Sequence, residues 1–330
     1  MIGLPRRQID EELEELREQR RNRFRILICV DGSDESYEGI RYAAQIGSTK
    51  ECDIILLYVR PIDQGLRTGG LQVRVARQNM LEWGLELPGI QYLKRGLEML
   101  VEQDRFGEEW DMVSTHTDVW GDPLGDNKIE YRHAGGRTIV LKLKTAPDPA
   151  SGILDQYELG PYNLIIMGAP NKWYGGLTSQ WYAGVAQKVA FLAPCSVMIA
   201  REIVGKIGHG HLVCLDGSSQ SFEAVRRDAV LAHHCGVALS ILSVAKTHAD
   251  EAQAAEHLRD AKGMLAEMGL KVKETMIRVG DPIEQIVDVG SDYSVVAVSG
   301  AEKSRFRRMV KKSVAFSVMG SSETTVLNIR

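Results

Sequence analysis

The chain has 330 residues, 44% of them hydrophobic and 25% charged, with a net charge of −4. That length exceeds what one core usually serves and predicts two domains. The mild negative balance excludes a global pull toward nucleic acid or an anionic membrane, and the longest apolar runs, such as IILLYV and YSVVAVSG, fall far short of the roughly 20 residues of a membrane span.

Residues 5–24, PRRQIDEELEELREQRRNRF, predict a charged helix with a thin apolar stripe at Ile9, Leu13 and Leu16. Such a stripe is too small for a helix standing alone, so docking on this chain or a twin is expected. ILICVDGSDES at 26–36 is an apolar strand that runs into Asp31-Gly32-Ser33 and then into helical spacing. IILLYV is a second strand ending near Val59. Two insertions follow. Residues 61–89 hold LQVRVARQNMLEWGLEL, a predicted helix, and residues about 107–137 predict added strands around turns at Gly121-Asp122 and Gly135-Gly136. RTIVLKLKTAPDPASGIL predicts the third strand and its helix. A competing register makes VSTHTDVWGDP the third strand, but the former leads directly into helix three and strand four. YNLIIMGAP is the fourth strand, and GVAQKVAFLAPCSVMIAR supplies a helix and a fifth.

From HLVCLDGSSQS at 211–221 the series starts again. A helix with Phe222, Val225, Ala229 and Ala232 on one face follows, then VALSILSVA, then a helix with Ala255, Leu258, Ala261 and Leu265 on one face, stopped by Gly269. KVKETMIRV alternates as a half-buried strand, Gly280-Asp281-Pro282 starts a short helix, and SVVAVSG, a helix at about 307–319 and TTVLNI complete the series. An offset of 185 residues carries Asp31 onto Asp216, and over residues 24–60 it gives 11 identical pairs in 37 positions. Composition alone predicts about two. The chain is a duplicated domain. Matching Gly168 with Gly300 sets the later offset at 132.

Strand and helix alternate, so parallel sheets with right-handed crossovers are expected. In such sheets ligands sit beyond the carboxyl ends of the strands. The residues there are Asp31-Gly32-Ser33 with the Gly168 loop, and Asp216-Gly217-Ser218 with the Gly300 loop.

The motifs ILICVDGSDES, IILLYVRP, LIIMGAP and GVAQKVAFLAPCSVMIA in copy one, with LVCLDGSSQS, GDPIEQIV and SVVAVSG in copy two, resemble two universal stress protein domains in tandem. The resemblance implies two open five-stranded Rossmann-like sheets of order 3-2-1-4-5, packed as a pseudo-dimer through SVMIA and TVLNI. It divides the chain into a charged extension (1–24), domain one (25–202), a linker (203–210) and domain two (211–330). It also implies an adenine-nucleotide site, with Asp31 and Asp216 at the nucleoside end and the backbone near Val59 and Val244 along the base. Phosphates would lie on a loop of the form G-x-x-G-x9-G-[ST], where backbone N–H groups face the anion.

Both loops depart from that form. Copy one has Gly168, then Asn171 at the second glycine, then KWYGGLT with Gly176, and ends in Ala183-Gly184. Copy two has Gly300, no second glycine, and ends in Lys312-Ser313, with Lys303, Arg305, Arg307, Arg308 and Lys311 concentrating positive charge. A Cβ where backbone must approach a phosphate is an obstacle. Two readings stand for the aspartates: ligand contact, or organisation of the turn and its helix N-terminus. Ser33 and Ser218 read as helix caps rather than nucleophiles.

The five cysteines form no C-x-x-C pair, so reduced buried thiols are expected. The histidines of HGH and AHHCG do not converge on one point, and His116 and His133 with nearby aspartates offer a metal site only as the lesser alternative to a lid or partner surface on the insertion, so no metal is expected. The N-terminus lacks an apolar signal core, which predicts a cytoplasmic protein. The function expected is that of a non-enzymatic stress-response or regulatory protein, a homodimer, with ATP or another adenine nucleotide as a switch. The alternatives are a slow ATP-hydrolysing enzyme, or a nucleotide-free interaction module that uses the domain-one insertion or the N-terminal helix.

Overall fold

The structure, a computed structural model, describes residues 23–47, 52–62, 88–101, 109–119, 122–158, 161–169, 177–201, 208–300 and 313–330. The helices expected within 5–24 and 71–87 and most of the linker lie outside the described residues. Two compact units are formed: residues 1–32 with 47–165, and residues 33–46 with 166–330. The boundaries fall inside copy one, so α1 (Asp34–Ile46) belongs to the second unit.

In the first unit, β1 (Phe24–Cys29) and β2 (Cys52–Pro61) pair in parallel. Ile26 to Ile28 and Ile54 to Leu57 are all buried, as strands covered on both faces require. β3 (Trp110–Val119) and β4 (Asp122–His133) form an antiparallel ladder, and β5 (Thr138–Ala146) lies parallel to β2. RTIVLKLKTA is therefore the third parallel strand, and VSTHTDV is an outer antiparallel one. The strand order is β1-β2-β5-β4-β3. Helices α2 (Pro88–Leu100) and α3 (Pro149–Glu158) pack on β2 and β5. Val59 stands inside β2, opposite Lys144, rather than beyond its end. β1 stops at the Cys29↔Leu57 pair, while pairing with β5 carries β2 on to Pro61.

The second unit continues with β6 (Leu164–Gly168, cut by the unit boundary), α4 (Leu177–Leu192), β7 (Ser196–Ala200) and β8 (His211–Cys214). Next come α5 (Ser219–His234), β9 (Leu239–Ala245), α6 (Glu251–Glu267) and β10 (Glu274–Val279). α7 (Pro282–Gly290), β11 (Val295–Ser299), α8 (Val314–Ser321) and β12 (Thr325–Ile329) close the chain. The order is β10-β9-β8-β11-β12-β7-β6, so copy two by itself reads 3-2-1-4-5.

Two self-contained five-stranded sheets were expected, and that is corrected. β7 of copy one pairs antiparallel with β12, from Val197↔Asn328 to Ile199↔Val326, so seven strands run together. An edge strand as apolar as SVMIA satisfies its free N–H and C=O groups in this way. The contacts at this seam are reciprocal. Arg201 donates from its backbone to Thr325 Oγ1 (3.1 Å) and from Nη2 to the Met319 carbonyl (2.7 Å). Arg330 donates from its backbone to Ser196 Oγ (3.2 Å) and from Nη2 to the Ala190 carbonyl (2.5 Å). Every partner shifts by the same 129 residues.

Helix faces needed small corrections. α8 starts at Val314 after an extended Ser313, and the part of the expected helix at 307–312 lies outside the described residues. α6 buries Ala254 rather than Ala255, beside Leu258, Ala261 and Leu265. α5 buries Ser221, Ala224 and Asp228 along with Val225, Ala229 and Ala232, and Phe222 is only half-buried. In α7, Asp281 caps the N–H groups of Ile283 and Glu284 ahead of a first-turn proline.

Candidate functional site

Copy two places every described member of its crevice within the second unit, whereas in copy one Asp31 and Gly32 belong to the first unit and Ser33 and Gly168 to the second. The turn is built from the backbone outward. Leu215 N–H donates to the Leu242 carbonyl (2.8 Å), extending the β8–β9 ladder by one bond before the chain turns at Gly217. Val30 and Leu57 make the same bond in copy one, also at 2.8 Å. Ser218 Oγ accepts the Ser221 N–H (3.2 Å) as the N-cap of α5, and Ser221 Oγ donates back to the Ser218 carbonyl (2.9 Å). Ser33 and Ser36 repeat the pair at 3.2 and 2.8 Å. The repeated serines thus satisfy the first N–H groups of a helix. The other repeated polar pair, Glu38 with Arg41 and Glu223 with Arg226, is an exposed ion pair one helical turn long.

Asp216 Oδ1 accepts from the Ser218 N–H (2.9 Å) and Ser218 Oγ (2.6 Å). Burial of this carboxyl works to raise its pKa, but the bonds from Ser218 and Ser221 outweigh that and hold it below the ordinary aspartate value. Asp216 is thus a solvent-accessible charged acceptor at the carboxyl end of a central strand. Ser218 donates to Asp216 and accepts from Ser221, so its hydroxyl is engaged as a cap.

A ring lies on the turn glycine in both copies. Gly32 (φ +90°) is covered by Tyr92 of α2, and Gly217 (φ +84°) by His257 of α6. A Cβ on Gly32 would meet the Tyr92 ring at 2.7 Å, and one on Gly217 would collide with the His257 imidazole. His257 also meets Phe222 edge-on, with centroids 6.3 Å apart. The sequence reading did not single out these rings; helical position opposite a strand-end glycine is the signal that marks them. Gly217→Ala is expected to lower stability by about 2–3 kcal/mol, from the left-handed backbone plus the clash. His257→Ala in the same chain should recover part of it in urea unfolding.

The glycines after strand four do not correspond as their sequence suggests. The ladder equates Asn163, whose N–H bonds Arg25, with Ser294, whose N–H bonds Gly210. Ala169 N–H then bonds the Ala200 carbonyl as Gly300 N–H bonds that of Ile329. Ala169 therefore matches Gly300, and Gly168 matches Ser299, an offset of 131 rather than 132. Gly168 is fixed by the close approach of the Ser36 backbone, and Gly300 sits against Asn328 and Arg330.

Gly184 lies in the second turn of α4, with open space around it. Its N–H is directed along the helix rather than toward a loop ligand. Ser313 caps α8 by accepting the Phe316 N–H (3.2 Å). Val244 lies within β9, opposite Arg278. Gly176, Lys303 and Lys312 lie outside the described residues.

Among the described residues no group of three His, Cys, Asp or Glu side chains is placed to hold a metal ion. His211 is instead a core residue, its Nδ1 2.9 Å from Asp228 Oδ1. All five cysteines are free. Burial pushes every thiol up, Cys52 and Cys195 to about 12 and Cys235 to about 11. Burial, with Asp31 beside Cys29 and with Asp228 and Asp216 beside Cys214, raises the two strand-end thiols further. Thiolate chemistry is disfavoured at all of them. Among the described residues no helix is long and apolar enough to cross a membrane.

Comparison with known proteins places this geometry in a family. The model of the universal stress protein family matches residues 22–201 and 211–330. A universal stress protein from Archaeoglobus fulgidus DSM 4304 superposes with a TM-score of 0.58 at 16% identity, covering 93% of this chain and 96% of its own. A putative universal stress protein from Pseudomonas aeruginosa UCBPP-PA14 does so with a TM-score of 0.54 at 13% identity, covering 94% of each. The Archaeoglobus fulgidus universal stress protein in complex with dAMP aligns with 38% of this chain and 99% of its own, at 22% identity and a TM-score of 0.31. A search of curated proteins found no match. With its two matched segments spanning nearly the whole sequence, the chain belongs to the universal stress protein family.

Proposed function

We propose that this protein is a non-enzymatic regulator whose copy-two crevice takes the nucleoside end of an adenine nucleotide. The observation that carries the reading is Asp216: a carboxylate held in its charged form by fixed hydrogen bonds and open to solvent, at the end of β8 beside Gly217 and Ser218. Both bonds from Ser218 use Oδ1, and a carboxylate with about four lone-pair sites keeps acceptor capacity for ribose hydroxyls or an adenine amino group. Such a group would repel phosphates, which would lie toward the segment carrying Lys303 and Lys312. The capping role of Ser218 supports binding without chemistry. Copy one is proposed to be structural, since Gly184 is committed to a helix. The reciprocal seam between β7 and β12 supports two domains related as a pseudo-dimer.

Titration calorimetry with AMP and ATP tests this reading. Saturable binding is expected, and Asp216→Ala should weaken both nucleotides at least tenfold, about 1.4 kcal/mol or more, while Asp31→Ala changes affinity little. No binding at millimolar nucleotide, or equal binding by Asp216→Ala, would contradict it. ATP turnover abolished by Asp216→Ala would favour the enzymatic alternative. A second reading, an interaction module, is favoured by β3, which ends the strand order with Met112 64% and Val113 46% exposed.

A further inference from the structure

The two copies differ at the outer edge of their third parallel strand. In copy one, β5 has β2 on one side and β4 on the other, the latter antiparallel from Asn127↔Leu143 to Arg132↔Thr138. In copy two, the strand at the same place in the order is β10. It pairs with β9 alone and ends the sheet among the described residues. Its outer N–H and C=O groups therefore present a template for another strand.

The surroundings of that edge say what kind of strand fits. A groove of about 270 Å³ runs between α6 and β10, lined by Ala255, Leu258, Arg259, Lys262, Thr275 and Ile277. Ala255 and Leu258 give it an apolar floor. Arg259 and Lys262 are exposed, and neither makes a hydrogen bond or ion pair among the described residues. Lys271 and Lys273 lead into β10 and are likewise exposed. Three acids of α6, Glu256, Asp260 and Glu267, fall on a different stripe of the helix, about 120° from the groove at 100° per residue, and the fourth, Glu251, lies on the groove stripe in the first turn and is paired with His248 Nδ1. Glu274 is occupied on the opposite face, where its carboxylate accepts from Tyr293 Oη (3.0 Å). Cationic groups are thus gathered along one open edge, and the one carboxylate on their helix stripe, Glu251, is paired with His248.

We propose that β10 receives an extended acidic peptide as an added antiparallel strand, as β5 receives β4 within this chain. Main-chain bonds to the β10 edge would supply affinity, as in other strand-addition complexes. Side chains alternate across a strand, so every second residue of the peptide would face the groove. Carboxylates at those positions would meet Arg259 and Lys262. The proposal is independent of the nucleotide reading, because its probe contains no nucleotide.

The test uses the full chain and a fluorescein-labelled nonapeptide that alternates glutamate with valine and threonine, followed by anisotropy at low salt. Saturable binding is expected. The double variant Arg259→Glu, Lys262→Glu should weaken it at least tenfold, and so should N-methylation of alternate peptide amides on the bonding edge. A peptide with lysine in place of glutamate should not bind. Both substituted positions are exposed, so circular dichroism should be unchanged. Absence of saturable binding, or binding indifferent to either N-methylation or charge reversal, would overturn the proposal. Concentration-dependent self-association abolished by the double variant, without peptide binding, would assign the edge to a second copy and also overturn it.

Discussion

Replacing His211 by isoleucine is expected to cost about 3–5 kcal/mol, and replacing Asp228 by alanine in the same chain is expected to restore most of it. His211 and Asp228 are buried to 5% and 0% exposure, with Nδ1 and Oδ1 2.9 Å apart. Asp228 Oδ2 is buried with no hydrogen-bond partner. Removing the imidazole alone would strand a carboxylate in the core, and the desolvation cost would then fall on the fold uncompensated. Copy one already carries the apolar solution, because the same positions there are Ile26 and Ala43, both fully buried. The double variant imports that pair, and its urea midpoint should return to within about 1 kcal/mol of the parent or exceed it. A single variant as stable as the parent, or a double variant no better than the single, would contradict this account of the pair.

Arg201→Ala should be the next most damaging change, at about 3–5 kcal/mol. Arg201 is fully buried. Its Nη1 donates to the Ala169 carbonyl (2.9 Å) and its Nη2 to the Met319 carbonyl (2.7 Å). Burial brings its pKa down to about 10, with Glu35 acting the other way, so it remains a cation at neutral pH. Alanine would leave two buried carbonyls without donors and a cavity the size of the side chain. Arg330, its counterpart across the seam, is only partly buried. Arg330→Ala should cost about 1 kcal/mol. Equal losses at the two positions, measured by urea unfolding, would contradict the difference in burial.

Much of the architecture is legible in the sequence because the repeat exposes it. The two Asp-Gly-Ser turns, the caps at Ser33 and Ser218, the third strand at 138–146 and the added antiparallel strands all follow from alternation, turn residues and a fixed offset. What escapes is set by tertiary contact. Asp228 sits at the helical spacing of Ala224, Val225 and Ala232, yet a carboxylate on a helix reads as solvent-facing until a strand histidine is placed beneath it. Arg201 reads as a charged residue closing a strand, and only the pairing of β7 with β12 buries it. Gly168 and Gly300 look equivalent because glycine marks turns, but ladder register, which glycine does not report, separates them by one residue. The rings of Tyr92 and His257 over Gly32 and Gly217 are legible only once each helix is laid across its strand end.

The crevice at Asp216 is most directly tested by a crystal structure of the full chain grown with AMP. The account predicts density for a nucleoside whose sugar hydroxyl or amino group lies within hydrogen-bond distance of the Asp216 carboxylate, with the phosphate directed toward the segment after Gly300. Density in which phosphate abuts Asp216, or nucleotide bound only elsewhere on the chain, would contradict it.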